Sequence, residues 1–212
     1  MEGLKKWLVK EKKNVERKRQ KMMQGEDVHI IEKVLGGEVN EFGVLLSRYA
    51  RKVRSFMGRM VANAEDAEEL TQNVFLKAYR HLATFDAEKS KFSSWLSRIA
   101  YHEAIDYLRM RSPIEMLPMD DEQAIWQTED GEAMGDLFGN ARKDRVELLR
   151  KAVLDLPPQD RMLLHLYYSD ELPLRDIAFI LDRQPDYLAT RLHRIRKRLY
   201  KTIKQLEQYE TT

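Results

Sequence analysis

Residues 172–199, LPLRDIAFILDRQPDYLATRLHRIRKRL, constrain the fold most strongly, because two short helical patterns follow each other across a three-residue turn. The first pattern begins at Pro173 and places three apolar side chains on one face: Ile177, Ile180 and Leu181. The second begins at Pro185 or Asp186 and has an apolar stripe: Leu188, Leu192, Ile195 and Leu199. In the turn, Asp182 tolerates a left-handed backbone better than most residues. Two short helices joined in this way predict a helix-turn-helix.

The second of these helices carries a largely basic set of polar residues away from its apolar stripe. They are Asp186, Tyr187, Thr190, Arg191, Arg194, Arg196, Lys197 and Arg198. Guanidinium groups can reach guanine edges in a major groove, and further cations can contact phosphates. The alternative is a solvated amphipathic helix whose cationic side chains lie along the surface. The preceding helix and turn favour DNA binding.

Helical periodicity covers most of the remaining chain, and no stretch has the sustained period-2 alternation of a strand. We therefore expect an all-α protein. One or two helices are predicted from Asn40 to about Ala62, with an inward stripe of Phe42, Leu45, Leu46, Tyr49 and Val53. Another is predicted to begin at Glu65-Asp66 and end near His81, with Leu70, Val74, Phe75 and Ala78 inward. A polar loop over 84–92 then precedes a helix over 92–111.

The charges are segregated along the chain, although the net charge is only +2. Residues 1–23 contain nine Lys or Arg and three Glu, whereas residues 112–140 contain eight Asp or Glu and no Lys or Arg. This pattern, with two prolines in the acidic segment, predicts four parts. They are a basic extension over 1–27, a helical domain over 28–111, a flexible acidic linker over 112–140 and a second helical domain over 141–212. The basic extension is either a solvated tail or a contact for phosphates or a membrane surface.

The sequence argues against an enzyme. The chain has no cysteine, and its five histidines lack the spacing of a metal site. No nucleophile–base pair and no phosphate-binding glycine loop is present, so we expect no catalytic residue, metal or cofactor. No secretory signal or apolar run of membrane-spanning length is recognised, which favours a cytoplasmic protein.

Two segments of the sequence resemble one family. Residues 65–111, EDAEELTQNVFLKAYRHLATFDAEKSKFSSWLSRIAYHEAIDYLRMR, are similar to region 2 of the extracytoplasmic-function (ECF, group IV) sigma factors of bacterial RNA polymerase. Residues 154–199 are similar to region 4 of the same family, and the acidic linker falls between the two segments. The resemblance implies a region 2 helical bundle and a region 4 helix-turn-helix in a promoter-specificity subunit without catalytic activity. It also implies a cytoplasmic protein that associates with the nucleoid when in holoenzyme.

The resemblance implies core RNA polymerase and promoter DNA as partners, with no small-molecule substrate. Region 2 would bind the clamp helices of the β′ subunit and open the −10 element, while region 4 would bind the β flap and read the −35 element. Sigma factors of this group are often held by anti-sigma factors, so an anti-sigma factor is a further partner to consider.

Carried over by position, the resemblance implies three sets of site residues. The β′-binding set is Asp66, Glu69, Leu70, Gln72, Asn73 and Leu76. The −10 set, around a loop from Phe85 to Phe92 that would hold a flipped base, is Lys89, Lys91, Trp95, Arg98, Tyr101, His102 and Arg109. The −35 set is the polar residues of the second helix of the helix-turn-helix given above, from Asp186 to Arg198.

The helix over 92–111 is expected to have one face in the core and another face toward DNA. Phe92, Trp95, Leu96 and Ile99 are expected in the core, whereas Arg98, Tyr101, His102 and Arg109 share a face. Aromatic faces can replace the base stacking that is lost when strands open, and cations follow the phosphates.

The chain departs from the family at several positions. Tyr101-His102 stands where the family usually has Arg-Asn, which leaves the −10 base preference open, and Asn73 replaces a family Glu. Phe179 is either an exposed contact for a partner or packs against Tyr168. Two other functions are considered: a sigma-like decoy that binds an anti-sigma factor without DNA, and a helix-turn-helix regulator unrelated to polymerase. A decoy would be expected to lose the basic face, and a regulator would leave residues 65–111 unexplained.

Overall fold

The computed structural model describes residues 22–111 and 143–210, and within these ranges it contains helices and no strand. The expected all-α class is therefore confirmed. The described chain divides into two compact units, one of residues 22–58 and 63–103, the other of residues 59–62, 104–111 and 143–210. The acidic linker over 112–140 and most of the basic extension lie outside the described residues, so those boundaries remain predictions.

Four helices contribute to the first unit. They are α1 (22–35), α2 (Phe42–Met60), α3 (Ala64–Arg80) and α4 (Phe92–Arg111), with 3-10 turns at Val39–Glu41 and Leu82–Thr84. Helix α3 begins where its first turn is stabilised, because the Asn63 side chain accepts hydrogen bonds from the backbone N–H groups of Glu65 (2.7 Å) and Asp66 (3.2 Å). The acidic first turn also complements the positive end of the helix dipole. Helix α4 has the bounds that its sequence predicts.

The apolar stripes of these helices form the core of the first unit. The residues predicted to point inward from α3 are all buried, as are Phe42, Leu45, Tyr49 and Val53 of α2. The prediction for Leu46 is wrong, because this side chain is exposed. Leu46 has nearly the same angle around α2 as the buried Met57, eleven residues later. Its exposure therefore does not result from a wrong helical phase.

A buried polar cluster joins α1 to α2. Asp27 accepts hydrogen bonds from Arg48 Nη1 and from the hydroxyl of Tyr49, each at 2.5 Å. Arg48 Nη2 also donates to Glu26 at 3.0 Å. Burial raises the pKa of Asp27 above its usual value, although the hydrogen bonds from Tyr49 and Arg48 lower it. Burial and the bond to Asp27 likewise raise the pKa of Tyr49, so its hydroxyl remains a donor.

The second unit contains the helix-turn-helix. Helix α5 (Lys143–Leu154) is followed by α6 (Pro158–Leu164), which begins with a proline, and then by a π-helical turn over His165–Ser169. Helix α7 (Leu174–Leu181) and helix α8 (Pro185–Glu210) follow. Asp182 adopts the left-handed conformation between them, with φ of 56°.

The predicted apolar residues of this motif form its core. Ile177, Ile180 and Leu181 of α7 are buried, as are Leu188, Leu192, Ile195 and Leu199 of α8. Phe179 is half-buried. No helix among the described residues is long and apolar enough to cross a membrane.

Candidate nucleic-acid interfaces

Helix α3 presents an exposed surface in the first unit. Leu76 is 55% exposed, and Glu69 and Gln72 are also exposed. Asp66 and Asn73 are half-buried. Leu70 was expected on this surface by analogy with the family, but it is buried and belongs to the core. Leu70 lies on the same stripe of α3 as the buried Val74 and Ala78, so its side chain is not available to a partner while the unit is folded.

A cavity of about 300 Å³ lies between the end of α3 and the middle of α4 in the first unit. Its lining combines aromatic, cationic and imidazole side chains: Lys77, His81, Thr84, Trp95, Arg98, Ile99, His102 and Glu103. Lys77 and Glu103 form an ion pair across it. The indole of Trp95 packs against Phe92, with ring centroids 5.6 Å apart, and against Phe85 at 5.7 Å. The cavity therefore combines an aromatic wall with groups that can donate and accept hydrogen bonds.

Two expectations for α4 need correction. Trp95 and Ile99 were expected in the core, but both are only half-buried and line the cavity, whereas Phe92 and Leu96 are buried as predicted. Tyr101 was expected on the exposed face, but it is 8% exposed. Tyr101 lies on the same face of α4 as Ser97 and Ile105, four residues before and after it, and both are buried. The covered sector of the helix is therefore wider than its apolar pattern predicts.

The remaining −10 candidates divide between the two units. His102 is exposed and Arg98 is half-buried, and both line the cavity in the first unit. Arg109 belongs to the second unit, is exposed and lies 3.6 Å from Asp106. The structure thus brings Arg98, His102 and Trp95 together and assigns Arg109 to a different compact unit.

The loop that precedes α4 is organised by Asp86. One carboxylate oxygen accepts a hydrogen bond from the backbone N–H of Glu88 at 3.0 Å, and the other lies 3.0 Å from Lys89 Nζ. The interaction with Lys89 and the backbone bond hold the pKa of Asp86 below its usual value. Lys89 and Lys91 are both exposed beside this turn. The loop is therefore an ordered turn with two lysines at its surface.

Helix α8 carries the other candidate interface, in the second unit. Asp186, Tyr187, Lys197 and Arg198 are exposed, whereas Thr190 and Arg194 are half-buried. The Thr190 hydroxyl donates to the backbone oxygen of Asp186 at 3.0 Å, which fixes its rotamer. Sequence reasoning missed His193, which is exposed and lies three residues after Thr190 and four before Lys197. The helical spacing alone could have identified it, since these positions share one face.

Two arginines of the predicted −35 set are not directed away from the core. Arg191 forms a two-bond ion pair with Asp160 of α6, with distances of 2.8 Å from Nε to Oδ1 and 2.9 Å from Nη2 to Oδ2. Arg196 Nε donates to the hydroxyl of Tyr168 at 2.7 Å. The expectation that Arg191 is presented on the outer face is corrected, since an angle close to the apolar stripe turns it toward α6.

The described residues contain no cluster of three or more His, Cys, Asp or Glu side chains that could hold a metal ion. The groups that line the cavity are instead aromatic, cationic and hydrogen-bonding side chains. Such groups suit unpaired bases and phosphates.

Known proteins match both the sequence and the fold. Residues 45–113 match the family model for Sigma-70 region 2. The ECF RNA polymerase sigma factor SigW of Bacillus subtilis is 31% identical over 182 residues, which cover 83% of this chain and 96% of SigW. The ECF RNA polymerase sigma-E factor of Escherichia coli K12 is 32% identical over 189 residues, covering 85% and 95% of the two chains.

Two solved structures share the fold. CnrH, in complex with the cytosolic domain of CnrY, aligns with a TM-score of 0.56 at 18% identity and covers 83% of this chain and 96% of its own. The sigma factor RpoE of Bartonella quintana, in complex with the anti-sigma factor NepR, aligns with a TM-score of 0.54 at 20% identity, covering 78% and 98%. The sequence matches, which extend over most of the chain, place it in one family: it belongs to the ECF RNA polymerase sigma factors, which are alternative sigma factors.

Proposed function

We propose that this sigma factor directs promoter-specific initiation by reading the −35 element with α8 and opening the −10 element with α4 and the loop before it. The observation that carries the proposal is the outward row of α8, where Thr190, His193 and Lys197 recur at helical spacing beside a core-facing apolar stripe. A helix with one buried stripe and an opposite polar, cationic row fits a major groove.

The first unit would act on single-stranded DNA. An unpaired base can stack on an aromatic ring, which contributes about 1–3 kcal/mol per base. The half-buried Trp95 in the cavity wall offers such a ring, and Arg98 and His102 lie beside it as hydrogen-bond donors. The exposed Lys89 and Lys91 would contact phosphates on either side of an extruded base. Base extrusion into a cavity of this kind follows the same physical logic as base flipping.

Binding to core RNA polymerase would use α3. The exposed Leu76 gives this surface an apolar centre, and Glu69 and Gln72 give it a polar surround. Such a surface is typical of a protein–protein contact. The β′ clamp helices are the proposed partner of this surface, and the β flap is the proposed partner of the second unit.

An anti-sigma factor is a further proposed partner. The structural relatives CnrH and the Bartonella RpoE are each in complex with a second protein, and NepR is named as an anti-sigma factor. The alternative of a decoy that binds only an anti-sigma factor is disfavoured by the exposed His193, Lys197 and Arg198 on α8. A protein that never meets DNA has no need of such a face.

Run-off transcription with purified bacterial core polymerase tests the proposal. The template is a pool of fragments in which the −35 and −10 elements are randomised, and the transcribed fragments are sequenced. We expect the purified chain to bind core polymerase and to enrich two separate sequence elements. Failure both to bind core polymerase and to enrich any sequence would refute the proposal and favour the decoy. Sequence-specific binding to the same DNA pool without binding to core polymerase would support an unrelated regulator, and binding to core polymerase without enrichment would refute promoter specificity.

A further inference from the structure

Two arginines of α8 border its apolar stripe on opposite sides. With 3.6 residues per turn, Arg191 lies on one side of the stripe, next to Leu188 and Ile195, which are three residues before it and four after it. Arg196 lies on the other side, next to Leu192 and Leu199, which are four residues before it and three after it. Both side chains are therefore directed toward neighbouring elements of the same unit, whereas Lys197 is directed away from the stripe.

The first arginine is held in a directional ion pair. Its guanidinium forms two parallel bonds with the Asp160 carboxylate, at 2.8 Å and 2.9 Å. The side chains of Arg191 and Asp160 are 19% and 6% exposed, so the pair is largely shielded from water. A planar fork on a carboxylate fixes orientation as well as distance, which a lysine could not do.

Asp160 is itself firmly placed. It lies in the first turn of α6, where its backbone N–H donates to the oxygen of Pro157 at 3.0 Å. The side chain of the next residue, Arg161, donates from Nη1 to the backbone oxygen of Leu154 at 2.8 Å, which connects α6 to the end of α5. The ion pair thus connects α8 to a helix that is already anchored.

The second arginine is held by the π-helical turn. Arg196 Nε donates to the hydroxyl of Tyr168 at 2.7 Å. Its guanidinium carbon also lies 5.7 Å from the ring centroid of Tyr167 and 5.6 Å from that of Tyr168. The two rings meet edge to face, with centroids 5.0 Å apart. A hydrogen bond and two cation–π contacts therefore fix this side of α8.

We propose that Arg191 with Asp160 and Arg196 with Tyr167 and Tyr168 form an arginine clamp, which fixes the rotation of α8 about its own axis. The buried stripe of Leu188 and Leu192 sets the coarse orientation of α8, and the clamp limits the smaller rotations that would still misalign the outward row of Thr190, His193 and Lys197. The clamp residues are thus positioning residues for −35 recognition rather than base or phosphate contacts. This inference rests on the proposed role of α8 as the −35 recognition helix.

The clamp and a direct contact make opposite predictions for Asp160→Ala. If Arg191 contacted DNA, removal of the carboxylate would release it and delete a negative charge, so affinity would be unchanged or higher. If Arg191 is a clamp residue, the same change allows α8 to rotate, and the preference for the specific site decreases.

The test uses holoenzyme assembled from the full chain and core polymerase. The probes are a duplex selected by the wild-type holoenzyme from a pool randomised at −35, and the same duplex with a scrambled −35 element. For Asp160→Ala we expect the ratio of the two affinities to fall about tenfold, which is the effect of one lost base-pair readout. The charge-swapped double variant Asp160→Arg with Arg191→Asp should recover part of the ratio. Tyr168→Phe, which removes only the hydroxyl, should give a smaller decrease.

The salt dependence of binding separates positioning from phosphate contact. The slope of log affinity against log salt is negative, and each lost phosphate contact reduces its magnitude by about 0.9. We expect Arg191→Ala to leave this slope unchanged, whereas Lys197→Ala, the matched control on the outward row, should reduce its magnitude by about that amount. Arg191→Lys retains the charge but not the fork, so it should also lose specificity.

Several results would overturn the clamp. Unchanged or tighter specific binding by Asp160→Ala would do so, as would a reduced salt slope for Arg191→Ala. If circular dichroism shows that Asp160→Ala is unfolded, Arg191→Lys decides the question, and full specificity in that variant refutes the clamp. If the wild-type holoenzyme selects no −35 sequence, the proposed function of α8 itself is wrong, and the clamp is rejected with it.

Discussion

Replacing Arg48 with methionine is expected to destabilise the first unit by about 3–5 kcal/mol, because it leaves a buried carboxylate without its cation. Asp27 is only 2% exposed, and its two oxygens accept bonds from Arg48 and Tyr49. Methionine fills much of the volume of the arginine stem, so the change isolates the loss of charge. The Arg48 side chain is 22% exposed, so water can reach the site, and the lower end of the range applies.

This destabilisation should grow as the pH rises. Burial already raises the pKa of Asp27 above its usual value of 3.8, against the lowering influence of Tyr49 and Arg48. A carboxyl whose folded pKa exceeds its unfolded pKa contributes most stability below the unfolded value and loses it as the pH passes the folded value. Removing Arg48 raises the folded pKa further. In the variant, the free energy of unfolding therefore continues to fall up to a higher pH. The destabilisation relative to wild type at neutral pH should exceed that near pH 4.

Urea unfolding measures the effect when Trp95 is the only tryptophan, with Trp7 and Trp126 replaced by phenylalanine in every variant. The matched control is the double variant Asp27→Asn with Arg48→Met, which has no buried carboxylate at the site and should lose the pH trend. Equal destabilisation by Arg48→Met near pH 4 and pH 7, or a cost under about 1 kcal/mol at both, would contradict the assigned energetics of the cluster.

Three further substitutions test the surfaces and the turn. Leu76→Asp should abolish binding to core polymerase in a fluorescence titration with little change in circular dichroism, whereas Leu35→Asp, at a comparably exposed leucine of α1, should bind normally. His102→Ala should slow promoter opening in permanganate footprinting with near-normal closed complexes, and unchanged opening would exclude a role for this imidazole. Asp182→Gly should raise the free energy of unfolding by about 0.5–1 kcal/mol in chemical denaturation, because it relieves a left-handed backbone; Asp182→Ala should lower it.

The helices were predictable from sequence because each has a strong local signal. The bounds of α4 follow from its periodicity, and the bounds of the helix-turn-helix follow from Pro173, Pro185 and the polar turn between them. The exposure of single residues was less predictable. Periodicity fixes the angle of Tyr101 around α4 but not how wide a sector its neighbours cover. The same limit explains Leu46, which was predicted to be buried but is exposed.

The partners of charged side chains were not predictable from local pattern. Asp160 lies 31 residues before Arg191 and Tyr168 lies 28 before Arg196, so no helical spacing relates them. The same is true of Asp27 and Arg48, which are 21 residues apart. These contacts exist only because the folded chain brings separate helices together. The candidate site predicted from sequence therefore included both exposed cations and cations that pair with other side chains of the protein. The sequence pattern alone could not distinguish the two kinds.

The angle between a cation and the apolar stripe contributes to this distinction, together with the presence of an acceptor opposite it, since Arg198 has nearly the angle of Arg191 but is exposed. Lys197 lies opposite the stripe of α8 and is exposed, whereas Arg191 and Arg196 border it and contact α6 and the π-helical turn. A cation within about 90° of the stripe can reach a neighbouring helix, and burial makes a bidentate pair there more favourable than at the surface. The number of basic residues on a recognition helix thus overstates its contacts with DNA. In the proposed −35 interface, the exposed His193 would be better placed for base readout than either bordering arginine.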